Sequence, residues 1–196
     1  MDLQTHSLCS LLSTSHPLTF KYKSMLQRIH IIGGPGSGKT YAARHLSDLL
    51  GFPRYDLDDW FWDNAAQSYG VRASDTERDA KLISITAEDR WIIEGVYYRW
   101  LRPSFERTDY IFVLRPSVFV RDWRILKRFV KRKFGIMPTK KERVLDLYRL
   151  IEWNHKYDGE NLRQALDFVR DFEHKVVVCR CADDILSYVA KRIVQQ

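Results

Sequence analysis

The sequence predicts an α/β protein in which a five-stranded parallel sheet is covered by helices on both faces. Five short segments are mainly apolar and do not alternate strictly, which is typical of strands buried on both sides. Longer amphipathic segments lie between them, and this alternation is the pattern of strand–helix–strand crossovers. The 196 residues, 45% of them hydrophobic, are enough for one packed domain and too apolar for a disordered chain.

The predicted strands end at recognisable signals. The first is followed by a glycine-rich loop, the third by Glu94 and Gly95, and the fourth by Pro116. In chain order the strands are predicted at residues 28–32, 54–57, 91–93, 110–114 and 175–179.

The helices are predicted from amphipathic spacing and from signals at their ends. Gly51 and Pro53 end the first helix, and Gly135 and Pro138 divide two long ones. Ser74, with a glutamate three residues later, has the spacing of a capping box. The predicted helices cover residues 39–50, 74–89, 117–134, 139–157, 161–172 and 183–194.

The amino-terminal residues differ from the rest of the chain. Residues 1–24 are rich in Ser, Thr and Leu and have no sustained period, and Met25 stands directly before the first strand. We therefore predict a disordered leader or a misassigned start at residues 1–24 and one domain at residues 25–196. Three cysteines are too few for a disulfide framework, and no apolar stretch approaches the roughly 20 residues that span a bilayer. We expect a cytoplasmic protein without a membrane partner.

The loop after the first strand fits the phosphate-binding pattern G-x-x-x-x-G-K-[ST], the Walker A motif, in full. It lies between a predicted strand and a predicted helix, which is the context that this motif requires. Glycines let successive backbone N–H groups point at phosphate oxygens, and the helix start adds partial positive charge. The predicted cofactor-binding residues are Gly33, Gly34, Pro35, Gly36, Ser37, Gly38, Lys39 and Thr40.

The chemistry of this motif predicts ATP with Mg²⁺ as the ligand, and hence a P-loop NTPase fold. Lys39 would reach the β- and γ-phosphates, and the Thr40 hydroxyl would bind Mg²⁺. No distinct base-reading motif separates ATP from GTP. The loop alone leaves the destination of the phosphoryl group open among water, a small acceptor and a hydrolysis-driven switch.

Acidic residues follow the second and third predicted strands, at the sheet edge where ligands bind in this fold class. Asp58 is predicted to orient an acceptor hydroxyl, with Asp56 or Asp59 in structural roles; a solvated acidic turn is the alternative. Glu94 is predicted to bind Mg²⁺ through water or to activate a nucleophile, with a simple turn residue as the alternative. Arg99 is predicted to bind a phosphate group of the acceptor. The predicted substrate-binding residues are therefore Asp58, Glu94 and Arg99.

The net charge of +7 is concentrated in one segment. Residues 121–143 contain ten Lys or Arg against two acidic residues, and the rest of the chain has a net charge of −1. Four arginines, three or four residues apart, share one predicted helical face: Arg121, Arg124, Arg128 and Arg132. They predict a lid over the transferring phosphoryl group, with a nucleic-acid-binding face or a solvated helix as alternatives. Trp123 and Phe129 of this helix are expected to pack on the sheet.

Three features together resemble one family: the phosphate loop, Leu57-Asp58 with Trp62 after it, and the segment from Trp91 to Tyr97 (Trp-Ile-Ile-Glu-Gly-Val-Tyr). They are similar to the FlaR-like, or DNA topology modulation, proteins, which are small P-loop proteins related to adenylate and shikimate kinases. The similarity covers nearly the whole chain beyond the leader. It implies a nucleoside-monophosphate-kinase-like fold, ATP with Mg²⁺, a helical arginine-rich lid, and Asp58 as an acceptor contact.

The function predicted from these features is ATP-dependent phosphoryl transfer to a small acceptor, such as a nucleoside, a nucleotide or a small alcohol. Lys39, Asp58, Arg124 and Arg128 are the predicted catalytic residues. Two alternatives stay open: an ATP-binding regulatory protein that acts on DNA topology through the basic helix, and a weak ATPase without an acceptor. DNA binding that falls steeply with salt would mark the regulator.

Overall fold

The secondary structure follows the predicted alternation of strands and helices. The computed structural model describes residues 26–61, 72–136 and 144–194, so that the predicted leader, Trp62 and Pro138 lie outside the described residues. The strands are β1 (Arg28–Gly33), β2 (Arg54–Asp56), β3 (Trp91–Gly95), β4 (Tyr110–Leu114) and β5 (Val176–Cys179). The helices are α1 (Lys39–Leu50), α2 (Asp58–Phe61), α3 (Asp75–Thr86), α4 (Arg102–Arg107), α5 (Val118–Lys133), α6 (Val144–Tyr157), α7 (Asn161–Phe168) and α8 (Ala182–Val194).

The five strands form one parallel sheet in the order β2-β3-β1-β4-β5. This confirms the predicted α/β fold with a five-stranded parallel sheet. β1 is the central strand, with β3 on one side and β4 on the other. The chain therefore reverses its direction of winding at β1, and ligands bind beyond the carboxyl ends of strands at such a switch point.

Helices cover both faces of the sheet, and successive residues of β1 separate the two cores. Ile29 and Ile31 pack in one core with α1 and α8, which contribute Leu46 and Ile185. Ile32 packs in the other core, together with buried side chains of α3, α4, α6 and α7. Because adjacent strand residues point to opposite faces, a strand between two helical layers is apolar at most positions.

Most local signals act where the sequence predicts them. Helix α1 ends at Gly51, which has a left-handed φ of 68°. Ser74 caps α3, its hydroxyl oxygen accepting from the Glu77 N–H at 3.3 Å. The helix predicted at 161–172 ends instead at Phe168, and an irregular 3₁₀ segment at Arg170–Lys175 follows it. The sequence reasoning also missed α4, whose six residues are too few to show a helical period.

Helices α5 and α6 form an antiparallel pair between β4 and β5. Ser117 caps α5, and Gly135, with a φ of 72°, ends it through the Ile136 N–H, which donates to the Lys131 carbonyl at 2.9 Å. This is the Schellman pattern that a glycine after a helix allows. Over the described parts of the chain, no helix is long and apolar enough to cross a membrane.

Candidate active site

The phosphate loop joins the end of β1 to the start of α1 at the centre of the sheet. Gly36 and Gly38 have φ angles of 67° and 104°, in the left-handed region that a Cβ atom disfavours. The Ser37 N–H donates to the Gly34 carbonyl at 3.2 Å and closes the turn. The two glycines thus let the loop curl around the N-terminus of α1, where backbone N–H groups favour a phosphate.

Lys39 begins α1 and lies half-buried against this loop. Its Nζ donates to the Gly34 carbonyl at 3.1 Å. Desolvation by burial lowers the pKa of the Lys39 ammonium. Three carboxylates, those of Glu94, Asp58 and Asp56, act in the opposite direction. The ammonium is therefore close enough to the acidic residues at the carboxyl ends of β2 and β3 to interact with them electrostatically.

Three carboxylates, which we call the acidic row, lie at the carboxyl ends of β2 and β3: Asp56, Asp58 and Glu94. Asp56 ends β2 and is aligned with Glu94 on β3. Asp58 begins α2, and its N–H donates to Asp56 Oδ1 at 2.9 Å. The Tyr97 hydroxyl donates to Asp58 Oδ1 at 2.9 Å, which orients this exposed carboxylate. The structure therefore brings Asp58 and Glu94 together beside Lys39.

Glu94 is the buried member of the acidic row, with 1% of its surface exposed. Its Oε1 atom makes no hydrogen bond to the residues that the structure describes, and it lies 4.0 Å from Arg54 Nη1. Burial raises the pKa of Glu94 to about 7, and the other two carboxylates of the row contribute to the rise. The Lys39 charge and a hydrogen bond with Thr40 act in the opposite direction.

Thr40 and Glu94 are the two residues predicted to hold Mg²⁺, and their side chains are close enough for Thr40 to lower the pKa of Glu94. Mg²⁺ in phosphoryl-transfer sites uses one or two protein ligands together with substrate phosphates and water. The unpartnered Oε1 of Glu94 is a buried acceptor that a metal-bound water would satisfy. Within the described ranges, no group of three or more His, Cys, Asp or Glu side chains is arranged to hold a metal ion. The unpartnered Oε1 of Glu94 and the neighbouring Thr40 fit a Mg²⁺ ion whose other ligands are phosphate and water.

The raised pKa of Glu94 predicts a pH-dependent stability of the nucleotide-free protein. The carboxyl has an ordinary pKa of 4.5 and a folded-state pKa of about 7, so that the folded state binds its proton more tightly. The stability from this proton is complete below pH 4.5 and is lost as the pH rises through about 7. We expect Glu94→Gln to unfold with a free energy up to about 3 kcal/mol above the native value near pH 8, and with a similar value near pH 4. Urea titrations at both pH values measure this, and a difference that does not change with pH would contradict it.

The predicted arginine face of α5 contacts the phosphate loop through Arg124. Arg124 is exposed, and its Nη1 donates to the carbonyls of Ser37 and Gly36 at 2.9 and 3.3 Å. Arg128 is half-buried one turn further along, and its charge lowers the pKa of Lys39. The structure therefore places Arg124 at the phosphate loop, and Arg128 is close enough for its charge to act on Lys39.

Arg121 does not lie on the exposed face expected of a lid, because it is fully buried. Its Nη1 donates to Asp158 Oδ1 at 2.7 Å, and its Nη2 donates to the Asn154 carbonyl at 3.2 Å. A Cβ atom on Gly34 would lie 3.0 Å from Arg121 Nη1, so the guanidinium packs directly against the phosphate loop. Arg132 is half-buried near the far end of α5. The four arginines therefore do not share one environment.

Arg99, the predicted acceptor-phosphate ligand, is exposed after β3 and is held against α7. Its Nη2 donates to Gln164 Oε1 at 3.1 Å, and its Nε donates to the Tyr98 hydroxyl at 3.2 Å. Sequence reasoning missed Gln164 and also Arg54, the cation beside Glu94. One feature of the sequence could have indicated Arg54. It lies two residues before Asp56 on the same strand, so both side chains are on the same face of the sheet.

A cavity of about 560 Å³ lies away from the phosphate loop, beside the amino ends of β1 and β4. Three of its charged side chains, Arg107, Lys175 and Asp109, have structural partners. Arg107 donates to the Thr86 carbonyl at 3.0 Å, and Lys175 donates to the Glu106 carbonyl at 2.9 Å. Asp109 accepts two backbone N–H groups at the start of β1. This cavity is therefore separate from the phosphate loop, which lies beyond the carboxyl end of β1.

Comparison with known proteins defines a fold class. No family model and no curated protein matches this chain, so the resemblance to the FlaR-like proteins stays a prediction. A gluconokinase from Sinorhizobium meliloti 1021 matches with a TM-score of 0.51 and 15% identity, covering 87% of this chain and 93% of that chain. A shikimate kinase from Acinetobacter baumannii, solved in complex with shikimate, matches with a TM-score of 0.47 and 16% identity, covering 89% and 97%. The chain has the fold of the P-loop kinases.

Proposed function

We propose that the protein transfers the γ-phosphoryl group of ATP to a hydroxyl group of a small acceptor. This proposal rests on one observation: the phosphate loop and the acidic row lie close together at the carboxyl ends of the strands. A nucleotide-binding switch needs the phosphate loop and a magnesium site, but it needs no carboxylate to bind an acceptor. The additional carboxylate of Asp58, exposed and oriented by Tyr97, supports a second reactant beside the phosphates.

The nucleotide phosphates would bind the backbone N–H groups of the loop and the N-terminus of α1. Lys39 would then exchange the Gly34 carbonyl for the β- and γ-phosphate oxygens. Thr40 and Glu94 are the residues that would hold Mg²⁺, which neutralises phosphate charge when it is bound. Arg124, which lies at the loop already, would contact the γ-phosphate as charge develops on it.

The acceptor hydroxyl would be activated by Asp58. As the acceptor oxygen forms its bond to the γ-phosphorus, the bond from that phosphorus to the β–γ bridging oxygen breaks and ADP leaves. The hydroxyl proton passes to the Asp58 carboxylate. The hydrogen bond from Tyr97 fixes one oxygen of this carboxylate and leaves the other to face the acceptor.

The positions of the arginines favour this role over a DNA-binding regulator. Arg121 is buried, and Arg124 is bonded to the phosphate loop. Arg121 is therefore out of reach of nucleic acid, and the exposed Arg124 is already bonded to the phosphate loop. Arg128, whose charge acts on Lys39, supports the same assignment.

The experiment that tests the proposal is transfer of labelled phosphate from ATP–Mg²⁺ to a panel of nucleosides, nucleotides and small alcohols. We expect one acceptor class to be phosphorylated, and Asp58→Asn to lower kcat about a hundredfold, because a positioned base contributes at least that much. Asp48→Asn, which changes an exposed carboxylate on α1, is the matched control and should retain full activity. ATP hydrolysis at one rate with every acceptor would overturn the proposal in favour of an ATPase. Salt-sensitive DNA binding without any transfer would overturn it in favour of the regulator.

A further inference from the structure

Helix α5 exposes a continuous line of large apolar side chains. Phe119, Trp123 and Phe134 are 77%, 64% and 76% exposed, although Trp123 was expected to pack on the sheet. Five such residues follow one another along α5 at intervals of four, three, four and four residues, which places them on one side of the helix. We call this surface the α5 stripe, and it consists of Phe119, Trp123, Leu126, Val130 and Phe134.

The amphipathic pattern of α5 is inverted relative to an ordinary surface helix. Such a helix turns its apolar face to the core and its charged face to solvent. Here the side that packs against the protein carries the buried Arg121 and Ile125, with Arg128 and Arg132 half-buried. The apolar residues of the α5 stripe point away from the core. Because the arginines occupy the inward side of α5, the apolar residues are on its outward side. This apolar surface has no partner among the described residues.

Lysines border the α5 stripe. Lys127, Lys131 and Lys133 are exposed on α5. The acidic residue of this helix, Asp122, is half-buried and is bonded to Asn154 and to His155, so that it does little to offset these charges. An occupant of the surface must therefore be apolar at its centre and negatively charged at its edges.

We propose that the α5 stripe docks onto the surface of an anionic lipid bilayer. A helix with aromatic and aliphatic residues on one side and lysines beside them lies in the interface of such a membrane, with its apolar side chains among the acyl chains and its cations at the headgroups. The outer face of a single helix is convex, which suits a fluid surface better than a rigid partner. A second copy docked through the same stripe would bring two sets of lysines together.

Docking in this way leaves the candidate active site accessible. The side of α5 that contacts the phosphate loop, through Arg121 and Arg124, lies away from the stripe. No helix needs to cross the bilayer, since an interfacial helix lies in the plane of the headgroups. The prediction of no membrane partner rests on the absence of spanning segments, whose signal in the sequence differs from that of an interfacial helix.

The test is flotation of the full chain with vesicles of phosphatidylcholine, with and without about 30 mol% phosphatidylserine. We expect binding to the anionic vesicles that is at least about tenfold stronger than to phosphatidylcholine alone and that weakens as salt is raised. The double variant Trp123→Ser, Phe134→Ser should lose at least about tenfold in vesicle affinity. Ile83→Ser, at a residue of α3 that is 60% exposed, is the matched control and should bind like the native protein.

The other occupants of the stripe give different results, and each would overturn the proposal. Native protein that binds neither type of vesicle would do so, as would a double variant that binds like the native protein. A native dimer that the double variant converts to a monomer, measured by analytical ultracentrifugation, would assign the stripe to a second copy. Loss of single-stranded DNA binding in the double variant, without vesicle binding by the native protein, would assign it to nucleic acid. Circular dichroism of each variant shows whether it is folded, and because the stripe is exposed we expect no loss of helix.

Discussion

Replacing Lys39 by Met should lower kcat for phosphoryl transfer about a thousandfold and leave the protein folded. In the nucleotide-free protein the Lys39 ammonium donates a hydrogen bond to the Gly34 carbonyl, and burial already disfavours its charge. Its removal gives up this hydrogen bond and the attraction of three carboxylates but also relieves the desolvation of the charge, so we expect the protein to stay folded. In the reaction, the ammonium would stabilise charge that develops on the β- and γ-phosphates, which the backbone of the loop cannot replace.

The ratio of the kinetic constants tests this explanation of the Lys39 effect. The backbone N–H groups of the loop are unchanged in Lys39→Met, so we expect KM for ATP to rise much less than kcat falls. Lys81→Met, at an exposed lysine of α3, is the matched control for loss of one surface cation. A kcat within tenfold of the native value, measured with the best acceptor, would contradict a catalytic role for Lys39.

The parts of the fold that sequence predicts well are those set by local chemistry. Helix α1 and strand β4 have the predicted bounds, because Gly51 ends the helix and an apolar run defines the strand. The end of α7 was placed too late, at residue 172, because Phe172 continues the amphipathic period and is buried, although the chain there is no longer α-helical. A periodic pattern of apolar residues predicts which side chains are buried. It does not show whether the backbone at those residues is α-helical or a 3₁₀ segment.

The candidate site divides in the same way. The phosphate loop is a contiguous motif, and the strand-end positions of Asp58 and Glu94 follow from the parallel sheet. The surroundings of Glu94 depend on strand order, which brings Arg54 beside it from a neighbouring strand. The spacing of the α5 arginines predicts which of them share a face, but it does not predict that this face turns inward. That is decided by Asp158, which lies 37 residues after Arg121 and belongs to no motif.

Replacing Arg121 by Met should destabilise the protein by about 2–3 kcal/mol, because it removes the charge-assisted hydrogen bond to the half-buried Asp158 and leaves the buried Asn154 carbonyl without its donor. Arg121 has no exposed surface, and its guanidinium satisfies both the Asp158 carboxylate and the Asn154 carbonyl. Urea unfolding should show the loss as a lower midpoint with an unchanged slope. The double variant Arg121→Met, Asp158→Leu should recover part of the loss, since it removes the unpaired charge.

Arg124 is the matched control for this prediction, three residues away on the same helix. Its side chain is exposed and bonds to the carbonyls of Ser37 and Gly36, so Arg124→Met should change the free energy of unfolding by no more than about 0.5 kcal/mol. It should instead lower kcat, because a cation positioned at the γ-phosphate acts on the transition state. If Arg121→Met were as stable as the native protein, or Arg124→Met were the less stable of the two, the division of α5 into a structural and a catalytic arginine would be wrong. The two variants measured together thus distinguish an arginine that holds the phosphate loop in place from one that acts on its ligand.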